Sequence, residues 1–407
     1  MRILSFGHYL QGPAATQYLT DMGADAVKVE PLGGAFERKP LAPDLLPEGR
    51  SALFLAANRN QRSLAIDLKQ ADGRNAILRL VRRYDVVIEN YRPGVMDKLG
   101  IGYKDLKAVK EDVIYASASG YGPVGPKASA PNQDILAQAE SGLIAAAGPF
   151  ATAPAAVGAA VTDQHAAALL ALGVAGAYGR RLATGQGGLV EGNLFSAAVD
   201  LQMEAFTTYL NRAPAPSGGG MERDARLANW YHPAPYGVYA LADDVIALSI
   251  VTAEQLCTAL KRPELDTLKA LDPYRDRDSF ARCLAAVLAT LSYQEVSAAF
   301  TEHGIWFARV SGYDALERHP QTAANQTVVT VDRADGPLRL VSHPLRYDGE
   351  VPGPRRPPPD LGAGGRAVLA EGGFETREIE SLIDREIVAA CGDETRLDPA
   401  PAPVMYL

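Results

Sequence analysis

The first part of the chain alternates short β-rich runs with helical or loop segments: RILSF, ADAVKVE, SLAIDL, DVVIEN and DVIYASA. Parallel strands need a crossover between them, so this rhythm predicts a parallel sheet covered by helices, with ligands bound beyond the carboxyl ends of the strands. Functional residues are therefore expected just after those runs. SGYGPVGP, after the fifth run, enforces a turn, and NQDILAQAESGLI resumes helical spacing. An Ala- and Leu-rich stretch then gives a long helix ending at ATGQGG, before a further strand, LVEGNLF. With 407 residues the chain exceeds one ordinary core. The reading divides it into a large domain over 1–214, a smaller α+β domain over 215–325 and a C-terminal segment over 326–407. SGGG at 217–220 forms the entry to the second domain and YGVYALADDVIALSI reads as a hairpin. The last segment carries the Pro- and Gly-rich RRPPPDLGAGG, a helical RAVLAEGGFETREIESLIDREIV and an extended tail, DPAPAPV.

Charge and side-chain chemistry narrow the function. The net charge of -8 comes from 40 basic and 48 acidic residues without a basic stripe, which argues against nucleic acid as a partner. Cys257, Cys283 and Cys391 are few and far apart, as suits reduced thiols in a cytoplasmic protein. The six histidines, at 8, 165, 232, 303, 319 and 343, lack ligand spacing, and neither H-E-x-x-H nor C-x-x-C occurs, so no metal is expected. G-x-S-x-G, G-x-G-x-x-G and the P-loop motif are absent too. SGLIAAAGPFATAPAAVGAAVT is uncharged for about the length of a membrane span, but Pro149 and Pro154 interrupt it. It reads as buried structure rather than a membrane segment.

AAVGAAVTDQHAAALLALGVAGAYGRR, residues 155–181, carries a single acid, Asp163. One reading makes Thr162 and Asp163 the cap of the Ala-rich helix. The other uses the same geometry: a helix start keeps a nearby carboxylate ionised, and an ionised carboxylate on an apolar surface attacks an activated acyl carbon. His165 reads as structural, because a carboxylate nucleophile needs no base. Arg38 follows a Gly-Gly turn in PLGGAFERKP, Arg59 and Arg62 precede one strand and Lys69 follows it, and Arg92 and Lys98 follow another. Cations converging on one sheet edge would hold the phosphates of a nucleotide-bearing ligand.

The order of these motifs resembles the class III coenzyme A transferases, the family that includes formyl-CoA transferase and the carnitine-CoA transferases. The likeness runs through GPAATQYLTDMGADAVKVEPLGG, NRNQRSLAIDLK, DVVIENYRPGVMDKLGIGY, SGYGPVGP, the Asp163 helix with TGQGGLVEGNLFSA, and PPPDLGAGG. It implies a large Rossmann-like domain with a parallel sheet, built from both chain ends, plus the smaller α+β domain. Two such chains interlock as a homodimer in that family. The resemblance makes Asp163 the nucleophile for an acyl-CoA, passing through an anhydride and an aspartyl-CoA thioester before a carboxylic acid takes the CoA. Coenzyme A is then a substrate, with no permanently bound cofactor. Arg38, Leu64, Lys69, Lys98 and Leu99 match positions around the CoA nucleotide, and Leu10, Gln11 and Gly12 the pantetheine path. Leu10 stands where formyl-CoA transferase has its active-site glutamine, and RLANWYHPAPYGVY stands where that enzyme has a glycine-rich flap. Tyr121, Glu140 and Trp230 are further substrate-site candidates, and Asp134 either orients the site or caps its own helix. Two alternatives remain: a 2-methylacyl-CoA racemase, although Gln133 replaces the histidine such enzymes use, and a CoA-binding subunit without turnover.

Overall fold

The computed structural model describes residues 1–41, 46, 50–148, 154–212, 222–333 and 336–389. Six parallel strands form its main sheet: β1 (Arg2–Phe6), β2 (Asp25–Glu30), β3 (Gln61–Ala65), β4 (Val86–Glu89), β5 (Ile114–Ser119) and β6 (Gly188–Asn193). Their order is β3-β2-β1-β4-β5-β6, so the winding reverses between β1 and β4 and opens a crevice at their carboxyl ends. Leu4 faces Val27 on one side and Val87 on the other in this register. Alternation along the strands feeds two apolar layers. Leu4, Phe6, Val27, Val87 and Tyr115 pack on one face with Val368, Leu369 and Leu382 from near the C-terminal end. Ile3, Ala26, Val86, Ile114 and Ala116 pack on the other with Ala167, Leu170 and Val174. The third strand ends at Ala65, within the SLAIDL run, and Ile66 bridges to Val388 in antiparallel fashion.

The chain divides into two compact units. The first comprises 1–137, 160–198 and the chain from 320 onward; the second comprises 138–159 and 199–319. These bounds differ from the 214/215 and 325/326 divisions read from composition, since 138–159 belongs to the second unit and the return begins at 320. Local composition does not report which core a segment joins. In the second unit β7 (Gly237–Ala240) and β8 (Val245–Leu248) form the expected hairpin, and β9 (Phe307–Arg309) adds to β8. Leu256, Phe280, Leu284 and Phe300 fill its core.

The apolar segment at 141–162 is corrected. Among its described residues, Leu143–Ala147 form a short helix, residues 154–159 are exposed rather than buried, and Val161 and Thr162 open the long helix. No single helix among the described residues is long and apolar enough to cross a membrane. SGGG at 217–220, Pro149, Cys391 and the DPAPAPV tail lie outside the described residues.

Arg59 and Arg62 are not ligand cations but structural ones. Arg59 donates to both carboxylate oxygens of Asp21 at 2.9 and 2.6 Å, with both side chains buried, and its third nitrogen donates to the Val341 carbonyl. Arg62 joins Asp25 and Glu371. The backbone amides of Arg355 and Arg356 donate to Asn60 Oδ1, so the returning chain is fastened beside these pairs. Breaking a buried pair leaves a charge without compensation. Arg59→Ala should therefore cost about 3–5 kcal/mol, read as a lower urea midpoint. Replacing both Asp21 and Arg59 with Leu should recover most of that loss, and equal loss in the single and double variants would contradict the pairing.

Candidate active site

The long helix spans Val161–Thr184, starting two residues before Asp163 and closing at Gly185, whose φ of 73° lies in the left-handed region that favours glycine. Its N-cap position is Ala160, which has no side-chain acceptor to offer. Asp163 is consequently the third helical residue, not the cap. The cap is supplied from another helix, Asp134–Glu140: Asp134 Oδ1 accepts from the Thr162 amide at 2.8 Å, the Thr162 hydroxyl at 2.6 Å and the Asp163 amide at 3.1 Å. Small residues permit this approach, since Ala137 and Ala166 are buried together against Leu194 and Ala197. Asp134 therefore does more than begin its own helix.

The carboxylate of Asp163 is half-buried and, among the described residues, accepts no hydrogen bond and joins no ion pair. Burial, and after it the charge of Asp134, push its pKa up to about 7. This reverses the sequence expectation that the helix start would keep it low. Asp134 occupies the amides that would have done so. His165 sits two residues along the same helix, about 200° around the axis, so the two side chains do not face one another.

The loop of the proposed pantetheine path is fixed from below. Asn90 brackets His8, accepting from its amide at 2.7 Å and donating to its carbonyl at 2.8 Å, while Lys28 Nζ donates to the Gly7 carbonyl at 2.7 Å. Gly12 is closely packed: a β-carbon there would lie 3.0 Å from Gly7 Cα and 3.3 Å from Asn90 Cγ, so the loop would have to give by a few tenths of an ångström to admit one. Leu10 is buried, as is Gln11, whose Nε2 has no hydrogen-bond partner.

The cations divide into two kinds. Arg38 is half-buried, donates from Nε and Nη2 to Glu30 at 2.7 Å each and from Nη1 to the Pro359 carbonyl at 3.1 Å, and lies 4.0 Å over the Phe54 ring. Two of the five guanidinium N–H donors are left for a ligand. Lys69, Arg92 and Lys98 are exposed beyond β3 and β4, with no ion-pair partner among the described residues. Leu99 is half-buried at the end of the helix Val95–Lys98. Leu64 is fully buried in the core, so its side chain presents nothing to a ligand.

Gln133 is exposed, with its amide donating to Asn132 Oδ1. Tyr121 packs 6.2 Å from Phe195, with Lys127 5.3 Å from its ring centre. Glu140 and Trp230 belong to the second unit, where Glu140 is exposed and Trp230 is buried edge-on to Tyr209 and Tyr231. Two features escaped the sequence reading. One is the tertiary cap from Asp134, for which NQD before a helical run was the only signal. The other is a cavity of about 330 Å³ at the carboxyl ends of β4, β5 and β6, lined by Glu89, Arg92, Tyr103, Tyr115 and Ser117 among others. Burial pushes Glu89 there up to about 7, and a lone glutamate at the end of DVVIEN gives no hint of it.

A doubly wound sheet with a carboxylate at a helix start beyond its strands defines a ligand-binding α/β protein with a candidate acyl-accepting group. The model of CoA-transferase family III matches residues 1–364, and the chain belongs to that family. The succinyl-CoA:mesaconate CoA-transferase of Haloarcula hispanica is 31% identical over 386 residues, covering 91% of this chain and 93% of its own. An acyl-CoA transferase of Fusarium pseudograminearum is 30% identical, with coverages of 95% and 87%. Among solved structures, the orthorhombic form of Rv3272 from Mycobacterium tuberculosis superposes with a TM-score of 0.77 at 27% identity, over 90% of this chain and 98% of that one.

The elevated pKa has a consequence for stability. Unfolded, Asp163 titrates near 4; folded, near 7. The folded state holds the proton more tightly, so the group's contribution is intact below about pH 4 and is lost as pH rises to about 7. Asp163→Asn should therefore raise Tm by a few degrees at pH 8, the gain shrinking toward zero as pH falls toward 4. A Tm difference independent of pH would contradict this environment.

Proposed function

We propose that this chain moves coenzyme A between carboxylic acids, with Asp163 as the covalent nucleophile. The observation that carries the reading is the state of that carboxylate: half-buried, without hydrogen bond or ion pair among the described residues, and basic for an aspartate. A group so placed reacts readily with an activated acyl carbon, since basicity and nucleophilicity rise together. An oxygen of Asp163 attacks the thioester carbonyl, the C–S bond breaks, and CoA leaves as the thiolate. That thiolate attacks the Asp163 carbonyl of the resulting anhydride, and the donor acid departs as carboxylate. The acceptor acid then reverses both steps. Charge is conserved throughout, with no proton transfer at the α-carbon.

Lys69, Arg92 and Lys98, together with the two remaining donors of Arg38, suit the phosphates of CoA. The loop at 7–12 suits its pantetheine arm. The family likeness supports a homodimer, and so does the helix Met203–Asn211, which buries none of its residues and exposes Met203, Phe206 and Leu210. A cytoplasmic location agrees with the sparse cysteines.

Asp163→Asn should cut CoA transfer roughly 10³-fold or more while CoA still binds. Succinyl-CoA with mesaconate, the pair named for the Haloarcula relative, is the first to assay, followed by a panel of acyl-CoAs and dicarboxylates. Hydroxylamine should trap an Asp163 hydroxamate on its peptide in the presence of donor. In D2O, a 2-methylacyl-CoA should gain no α-deuterium beyond background. Fast deuteration without an adduct would identify a racemase instead, and CoA binding without exchange on any pair would identify a binding subunit.

A further inference from the structure

The helix at 161–184 needs an acceptor for its first amides, and a neutral one would serve. Asparagine is as good a capping residue as aspartate. The acceptor present is nevertheless a carboxylate, Asp134, bonded to the amide of the very residue whose own side chain is the second carboxylate. Two like charges so close disfavour the ionised pair. Asp163 has no cation to offset this among the described residues. Two other titratable side chains near the helix start among the described residues are His165, two residues on and about 200° around the helix axis from Asp163, and Tyr18 of the helix Gln11–Asp21, whose hydroxyl donates to Gln164 at 3.2 Å. Neither carries a positive field that enters the shift of Asp163.

Resting on the reading of Asp163 as nucleophile, we propose that Asp134 is a positioning residue with an energetic role: its charge strains the resting Asp163 carboxylate and is relieved when Asp163 is acylated. The charge balance of the two steps gives the reason. When the Asp163 oxygen bonds to the acyl carbon and the C–S bond breaks, the negative charge moves onto sulfur. When the thiolate then displaces the donor acid, the charge leaves with that carboxylate. Asp163 is neutral in the anhydride and in the aspartyl-CoA thioester alike. Repulsion from Asp134 therefore acts on the free carboxylate and not on either covalent form. It shifts the equilibrium toward the covalent enzyme and makes the free carboxylate a stronger nucleophile. The same bonds fix the helix start, so geometry and charge arrive through one side chain.

Asp134→Asn separates them, keeping an oxygen acceptor and removing the charge. In the full-length chain, the acid limb of kcat/KM should move down by about one pH unit. The ratio of covalently modified to free enzyme, read by intact mass with acyl-CoA and no acceptor, should fall about tenfold, the same free energy expressed as an equilibrium. Asp134→Ala should shift the limb alike and also lower the urea midpoint, because the cap is lost. An unmoved limb and unchanged covalent ratio in the Asn variant, with only the Ala variant impaired, would overturn the proposal and leave Asp134 a cap. Carbodiimide labelling of Asp163 against pH reads the pairing without turnover. A labelling midpoint that moves down in Asp134→Asn upholds the electrostatic pairing even if the chain transfers no CoA, and an unmoved midpoint overturns it.

Discussion

A helix that starts with Ala160, Val161 and Thr162 presents unpaired amides and no side chain of its own on the cap residue to meet them. Asp134, arriving from a separate helix, meets them, and much of the site follows from that contact. It fixes where the helix begins, makes Asp163 its third residue, and places a second negative charge beside it. The close packing of Ala137 and Ala166 is what brings the two helices near enough. A larger side chain at either position would separate cap from amide before it disturbed the sheet.

Around this contact the sheet plays a coarser part. Its winding reversal between β1 and β4 opens the crevice where the loop at 7–12 and the segment after β4 meet, and Asn90 ties the two together through the backbone of His8. The pieces nearest the crevice are thus held by side-chain hydrogen bonds to the backbone rather than by apolar packing alone. That rigidity suits the proposed transfer, in which an anhydride would have to meet a thiolate before water does.

Much of this architecture was legible in the sequence. The strand rhythm is strong because parallel strands buried on both faces read as nearly continuous apolar runs, as in DVVIEN and DVIYASA. The long helix was legible from its Ala and Leu content and its closing glycine. What could not be read were tertiary assignments of polar groups. Arg59, Arg62 and Arg38 look alike in sequence, yet the first two are spent on Asp21, Asp25 and Glu371 and the third mostly on Glu30. Leu64 matched a motif but fills the core. The partner of a helix amide lies 28 residues away in the Asp134–Thr162 contact, beyond any local pattern. The direction of the Asp163 shift is likewise a tertiary property, since burial raises it first and the charge of Asp134 adds to that.

The fastening of the returning chain at Asn60, Arg59 and Arg62 bears on how the molecule is made. During synthesis the ribosome releases β1 to β6 long before residues 341–371, so Arg62 waits for Glu371 and Arg59 for the Val341 carbonyl while the second unit is still being translated. The nascent first unit therefore lacks the helices that cover one side of its sheet, and its apolar strands stand open until residues 365–384 arrive. The second unit, contiguous apart from 138–159, is under no such delay. The unit that holds Asp163 is thus completed only after the second unit has been made.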